Sequence, residues 1–252
     1  MYKRQVSGLF EIRVNDIPMI NLSLDGKQMS TEIPVNHGIH TTGPLEVSVK
    51  LLPVPGEINL REEAALHYNL HLYDVSNGFK FKESIGQWKS PRVNKENPEM
   101  IFTHTEMYQA SVPYELNTLW LKGRRIDKIK NAHEKLRDKY NQIIQILKSG
   151  RFDDYEKMIA SREKNIATAM YLSPQESKSR FKRLKRDLQN GYDKIEFPEK
   201  TIMVASAYGR KVSLKRINGD PALSFVNVEE KEQQMIDIEF YMPKESEKFE
   251  II

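Results

Sequence analysis

Residues 126–147 read IDKIKNAHEKLRDKYNQIIQIL and predict one amphipathic helix. Ile and Leu recur there at spacings of three and four residues, with Tyr140 in the same register, so one apolar stripe runs along the rod. Lys, Arg, Asp and Glu occupy the intervening positions and make the opposite face polar. Ser149-Gly150 follows, and a glycine at this point is a common helix stop.

Two more helices are predicted between Phe152 and Asn190. The apolar side of the second is marked by Phe152, Tyr155, Ile159, Ile166 and Met170. We expect the polar run at 161–164 to bend or break this helix. The third begins at Ser173-Pro174-Gln175-Glu176, where the serine and glutamate form a capping box and proline suits the first turn.

Alternation of apolar and polar residues indicates strands on both sides of these helices. In the first half the pattern covers 10–14, 17–24, 27–33, 45–51, 66–73, 79–82 and 100–112. Asp25-Gly26 predicts a hairpin between the second and third of these. After the helices, strands are predicted at 201–207, 211–217, 222–228 and 235–242.

This order of elements predicts an α+β chain of two domains. We expect an antiparallel β-sandwich at 6–120, because several short strands follow one another with turns between them. We expect a second domain at 121–252, in which the three helices pack on one antiparallel sheet.

Composition limits the classes of function. The chain has 252 residues, of which 39% are hydrophobic, and no cysteine, which excludes disulfides, thiol nucleophiles and thiolate metal sites. No apolar run approaches the roughly 20 residues of a membrane-spanning helix. A soluble protein of the cytoplasm or periplasm is therefore expected.

Charge is distributed unevenly along the chain. Residues 119–190 contain 19 Lys and Arg but only 9 Asp and Glu, whereas the whole chain has a net charge of +4. Such an excess is typical both of solvated helix faces and of surfaces that bind nucleic acid, acidic lipid or acidic protein.

The first five residues, Met1-Tyr2-Lys3-Arg4-Gln5, resemble the translation of a transposon adaptor used in DNA sequencing. On this interpretation the natural sequence begins upstream of Val6, and an export signal could precede it.

Histidines offer the first candidate for a metal site. His67 and His71 are about 13 Å apart if 66–73 is a strand, which is too far for both to bind one ion. They would share a face on a helix, where Glu62 and Glu63 could complete the ligands. We favour the strand, so no metal and no cofactor is predicted. His37 and His40 lie in a predicted loop without a third ligand nearby in the sequence.

The order of three helices and then strands, together with Gly150-Arg151-Phe152-Asp153-Asp154-Tyr155 entering the second helix, resembles the nuclear-transport-factor-like and SnoaL-like superfamily. The resemblance covers roughly the last 130 residues. It implies a cone-shaped domain with a pocket between helices and sheet. Polar residues that could line this pocket are Asp153, Asp154, Tyr155, Tyr192 and Tyr208.

Asp153 and Asp154 also have a structural interpretation, and so does His133. Asp153 and Asp154 lie in the first turn of a helix, where the helix dipole favours carboxylates. His133 lies at the edge of the apolar stripe and is predicted to be a boundary residue rather than a base.

The third helix carries the densest basic cluster. Its members are Lys178, Arg180, Lys182, Arg183, Lys185 and Arg186. Helical spacing places them around the exposed side, away from the seam formed by Phe181, Leu184 and Leu188. They are candidates for binding nucleic acid or an acidic protein, although no aromatic stacking group or recognised motif accompanies them.

Three functions are open from the sequence. The first is a non-catalytic bacterial accessory protein that binds a protein partner, for example a toxin-immunity or envelope protein. The second is an enzyme or ligand carrier with a small molecule in the carboxy-terminal pocket. The third is nucleic-acid binding through the basic third helix.

Overall fold

In the computed structural model, three helices stand between two groups of antiparallel strands, and the described residues are 6–27, 29–96 and 98–252. The helices are α1 (Ala132–Lys148), α2 (Phe152–Ala169) and α3 (Pro174–Gln189). The strands before them are β1 (Val6–Val14), β2 (Ile17–Lys27), β3 (Gly43–Leu52), β4 (His67–Asp74), β5 (Lys80–Lys89) and β6 (Phe102–Ala110). The strands after them are β7 (Lys194–Glu196), β8 (Ile202–Ser206), β9 (Lys211–Lys215), β10 (Leu223–Asn227), β11 (Glu232–Ile236), β12 (Phe240–Tyr241) and β13 (Glu250–Ile251). The predicted α+β class is confirmed.

The chain divides into two compact units, the first ending at Glu115 and the second beginning at Leu116. We call them the N-terminal unit and the C-terminal unit. Residues 114–118 form no strand or helix, and a 3-10 turn follows at Leu119–Lys122.

The N-terminal unit contains a four-stranded sheet in the order β2-β1-β3-β6 and a separate two-stranded ribbon of β4 and β5. Even-numbered residues of β1 and odd-numbered residues of β3 face the same side, as alternation requires. Val14, Leu45 and Val47 there form one buried cluster with Leu70 of the ribbon. A second cluster joins Phe10 and Leu51 to the loop residues Leu60, Ala64 and Val93.

The hairpin predicted at Asp25-Gly26 is wrong. β2 continues through both residues while pairing with β1, and the reversal lies at Asn15-Asp16, whose φ angles of 48° and 58° are left-handed. Two consecutive left-handed residues match the twist of a two-residue hairpin, and Asn and Asp tolerate them best after glycine. The predicted strand at 27–33 falls partly outside the described residues, and 29–33 is not a strand.

The C-terminal unit places its helices against two antiparallel sheets, so the prediction of one sheet is wrong. Their strand orders are β11-β10-β7 and β13-β12-β9-β8. One core unites α1 with both sheets, and Leu136, Tyr140 and Ile143 of α1 are almost fully buried in it. The Tyr140 hydroxyl donates to the Ile238 carbonyl at 3.2 Å and accepts from the Leu214 N–H at 3.2 Å. α1 is therefore the central element of this unit.

Helix boundaries differ from prediction at one point. α1 begins at Ala132 rather than at Ile126, because Asn131 is left-handed with φ 55° and 126–128 forms a 3-10 turn. Ile126 and Ile129 are nevertheless buried. The residues predicted to form the apolar stripe therefore face the core, although the first two precede the helix. α2 runs unbroken through 161–164, contrary to the expected bend. The capping box of Ser173 and Glu176 at α3 is confirmed.

Two short strands are not predicted by the alternation of apolar and polar residues. β7 and β13 have three and two residues, too few to establish a period. The segment predicted as one strand at 235–242 is split between β11 and β12. Within the described residues no helix has the length and apolar character needed to cross a bilayer.

Candidate anion-binding groove

A shallow groove of about 610 Å³, open to solvent, lies on the C-terminal unit and is lined mainly by cations. The lining residues are Leu121, Lys122, Gly123, Arg124, Arg125, Lys128, Arg210 and Lys244. They come from three separate segments, at 121–128, 210 and 244. We call this site the basic groove.

Buried side chains anchor the 121–128 segment. Trp120 is 3% exposed and Ile126 is also buried, so the backbone between them is fixed at both ends. The Arg124 N–H donates to the Met242 carbonyl at 2.8 Å, and the Ile126 N–H donates to the Gly209 carbonyl at 2.9 Å. These two bonds attach the segment to both other parts of the groove.

Gly123 allows this close approach. A Cβ at this position would lie 2.9 Å from the Met242 carbonyl oxygen and 3.0 Å from the Trp120 carbonyl oxygen. Both neighbours are backbone atoms, which cannot rotate away as the end of a side chain can. The floor of the groove therefore requires glycine at 123.

The turn between β8 and β9 leads into the lining residue Arg210 and has left-handed backbone at three successive residues. Ala207, Tyr208 and Gly209 have φ angles of 52°, 55° and 76°. The Gly209 N–H donates to the Ser206 carbonyl at 3.1 Å, so the turn is closed by its own hydrogen bond. L-residues are strained in this conformation, whereas glycine adopts it freely. The turn presents Arg210, whose guanidinium donates to the Gly123 carbonyl.

A buried polar network holds the base of that turn. The carboxylate of Glu239 accepts from the Ser206 hydroxyl at 2.6 Å and from the Lys211 ammonium at 2.5 Å. Lys211 also lies 5.4 Å from the ring centre of Trp120. Ser206 and Lys211 are the last cross-strand pair before the turn, so Glu239 fixes both of its ends.

The groove has more cations than carboxylates. Glu247 pairs with Arg124 and with Lys135, the latter at 2.6 Å. Hydrogen bonds from Lys135 and then Arg124 lower the pKa of Glu247 below its usual value. Arg125 pairs with Asp127 at 3.0 Å. For Lys122, Lys128 and Lys244, no ion pair is found within the part of the chain that the structure describes.

The polar residues proposed for a catalytic pocket have separate surroundings. Asp153 is exposed, and Asp154 pairs with Arg151 at 3.4 Å. Tyr155 is 3% exposed and packs near Phe181, and its burial raises the pKa of the phenol to about 12. None of these residues lines the basic groove or the second concavity described below.

The two remaining tyrosines also lie apart from those residues. Tyr192 donates a hydrogen bond to Glu232, and this bond and burial raise its pKa to about 12. Tyr208 is exposed on the left-handed turn. The second concavity, lined by Glu196, Phe197, Pro198 and Arg216, is open as well. The structure therefore brings no acid and base pair together from the predicted set.

Most of the basic residues of α3 have partners. Arg180 pairs with Glu163 at 3.0 Å, while Arg183 and Arg186 share Asp187 at 3.7 and 3.4 Å. Lys185 lies 5.5 Å from the ring centre of Phe152. Lys178 and Lys182 are exposed.

The histidines lie in structural positions. His67 and His71 are on β4, as the strand interpretation predicts. His133 Nε2 lies 3.0 Å from the Thr201 hydroxyl at the edge of α1. His37 and His40 are at or near the 3-10 turn of 36–38. Across the described ranges, no group of three or more His, Asp or Glu is placed to hold a metal ion.

Sequence reasoning missed the basic groove. Lys122, Arg124, Arg125 and Lys128 form a visible local run, but it was counted with the helices because 126–147 was read as one continuous helix. Arg210 and Lys244 are distant in sequence, and only the fold places them beside this run.

Comparison with protein-family models, with curated proteins and with solved structures finds no match for this chain.

Proposed function

We propose that the chain is a non-catalytic binding protein whose basic groove holds an acidic segment of a protein partner. The observation that carries the proposal is the charge of the groove, where six cations stand against the carboxylates of Asp127 and Glu247. Because three of the lysines lack an ion pair among the described residues, an incoming carboxylate need not displace an existing one.

Exposed leucines favour a protein over nucleic acid. Leu121 in the groove is 52% exposed, and Leu119 on the same 3-10 turn is 56% exposed. An acidic peptide with apolar side chains matches both features. None of the described lining residues is aromatic, whereas single-stranded nucleic acid is usually held by rings on which its bases stack.

The finer features of the fold are also proposals. We propose that the N-terminal unit is a β-sandwich, supported by the core that the ribbon shares with the four-stranded sheet. We propose a nuclear-transport-factor-like arrangement for the C-terminal unit, supported by three helices followed by antiparallel strands. A bacterial accessory role, such as toxin immunity, agrees with a binding surface of this kind.

A peptide of alternating Glu and Leu, labelled with fluorescein, tests the proposal by fluorescence anisotropy. We expect Lys122→Glu/Lys128→Glu to weaken its binding by roughly tenfold or more, because two attractions become repulsions. The matched control is Lys178→Glu/Lys182→Glu on α3, which makes the same change in net charge at two exposed lysines.

The control variant should bind within about twofold of the original protein. Equal losses in both variants would mean that only net charge matters, and the groove would not be the site. Tighter binding of single-stranded DNA of equal charge would favour the nucleic-acid function instead.

A further inference from the structure

The outward face of the β4–β5 ribbon, in the N-terminal unit, combines aromatic rings with neutral hydrogen-bonding side chains. Three successive cross-strand pairs form it, namely Asn69 with Gln87, His71 with Ser84, and Tyr73 with Phe81. The opposite face carries Tyr68 and Leu70, which pack into the core of the unit. Asn69, His71 and Tyr73 alternate with Tyr68 and Leu70 along β4, so they point away from that core. The pairing has register shifts between Leu70 and His71 and between Leu72 and Tyr73, and across both shifts Gln87, Ser84 and Phe81 of β5 remain exposed.

The rings are arranged as one cluster at the end of the face. Phe81 meets His71 edge-on at 5.4 Å and Tyr73 at 6.0 Å between ring centres. The Tyr73 hydroxyl donates to Glu32, which fixes that ring from outside the ribbon. Phe81 remains 58% exposed. An aromatic ring this exposed, yet held by two neighbours, presents a preorganised apolar surface.

The rest of the face is polar without being charged. Asn69, Gln87 and Ser84 are exposed and supply amide and hydroxyl groups that both donate and accept hydrogen bonds. The three pairs contain no Lys, Arg, Asp or Glu and no aliphatic side chain. From Asn69 to Tyr73 the strand extends about 13 Å, so the polar groups and the rings can meet one extended ligand.

We propose that this face binds a neutral oligosaccharide. A sugar ring has an apolar side of C–H groups, which stacks on an aromatic ring, and a rim of hydroxyls, which require donors and acceptors together. The face offers these two features side by side, and the Glu32 carboxylate near one end and Lys89 at the other bring opposite charges rather than an excess of one sign. It is independent of the basic groove and of the function proposed for it.

Charges around the rings argue against an anionic membrane. Lys80 and Lys82 flank Phe81, but Glu32, Asp74 and Glu83 lie on the same segment or contact it, so no positive excess is available for acidic lipid. The three pairs supply six residues, fewer than the roughly 20–30 a side of a stable protein interface, which argues against a protein partner.

Affinity electrophoresis of the full chain in native gels is the test, with soluble starch, dextran, xyloglucan and glucomannan as neutral polysaccharides. We expect at least one of them to retard the protein, and Phe81→Ala to weaken that retardation by fivefold or more. Asn69→Ala should weaken it as well, by a smaller factor. Met107→Ala is the matched control, because Met107 is 56% exposed but lies on β6, outside the ribbon.

Failure of all four polysaccharides to retard the protein would overturn the proposal. So would retardation that Phe81→Ala leaves unchanged, provided that circular dichroism shows both variants folded. Binding only to polygalacturonate, or only to vesicles that contain phosphatidylserine, would assign the face to an anionic ligand and equally reject it.

Discussion

The C-terminal unit has two basic surfaces, and they differ in how many of their cations are paired with carboxylates. α3 carries six cations in nine residues, but three of its arginines are paired with Glu163 or Asp187 and Lys185 lies over Phe152. The basic groove gathers its cations from three segments and leaves three lysines without an ion pair among the described residues. On α3, one acid of the helix itself and one from α2 pair with the arginines, whereas loops from distant segments bring like charges together in the groove.

The two surfaces also differ in support. None of the described α3 residues is fully buried, so the helix lies at the edge of the core. The 121–128 segment, in contrast, is anchored by Trp120 and Ile126. The groove is therefore held more firmly than the surface with the higher density of charge.

Truncation of the anchors gives the largest expected difference. Trp120→Ala should lower the free energy of unfolding by about 3–5 kcal/mol, because it removes a buried ring. Phe181→Ala on α3 should cost about 1–2 kcal/mol, since that ring is only partly buried. Urea unfolding followed at 222 nm, which reports the three helices, measures both. Equal losses in the free energy of unfolding would mean that the groove is not anchored more firmly than α3.

Removal of the acids beside α3 tests whether ion pairing limits the affinity of that surface for the peptide. Glu163→Gln/Asp187→Asn releases three arginines of α3 and Arg162 of α2, so in the Lys122→Glu/Lys128→Glu background we expect Glu-Leu peptide affinity to rise by about fivefold. Anisotropy measures the change, and Asp153→Asn/Glu156→Gln, which removes two exposed carboxylates of α2, serves as the control for the loss of two charges. If the two variants bind equally, ion pairing does not explain the weakness of α3.

Removal of a carboxylate from the basic groove should change peptide affinity less than removal of the acids that pair with α3. Glu247→Gln removes the carboxylate that Arg124 and Lys135 share, and peptide affinity should rise by about threefold. The gain is limited because the carboxylate is exposed and screened by solvent. Glu245→Gln, at a neighbouring exposed position, is the control. A loss of affinity in Glu247→Gln would mean that Glu247 positions Arg124 for binding.

The sequence predicted what depends on local periodicity. The α1 stripe, the capping box at Ser173 and the alternation of β1, β3 and β4 are all confirmed, because each is a repeated pattern in consecutive residues. The hairpin predicted at Asp25-Gly26 was wrong because this dipeptide lies at an irregularity inside β2, between the pairs Gly8–Leu24 and Val6–Lys27, rather than between two strands.

The candidate site was harder to predict for a physical reason. Arg210 reaches Gly123 only because a left-handed turn and the Ile126–Gly209 hydrogen bond bring β8 and β9 beside the 121–128 segment. No spacing rule along the chain connects these residues. The dense run on α3 was visible in the sequence, but its pairing with Glu163 from another helix was not.

The turn at Ala207 and Tyr208 has a consequence for chirality. A left-handed backbone is the mirror image of the right-handed conformation that an L-residue prefers, and it is the conformation that the corresponding D-residue prefers. Semisynthesis with D-alanine at 207 would retain the side chain's size while relieving about 1 kcal/mol of backbone strain. The turn that presents Arg210 to the groove could thus be stabilised by inverting one stereocentre, without adding or removing an atom.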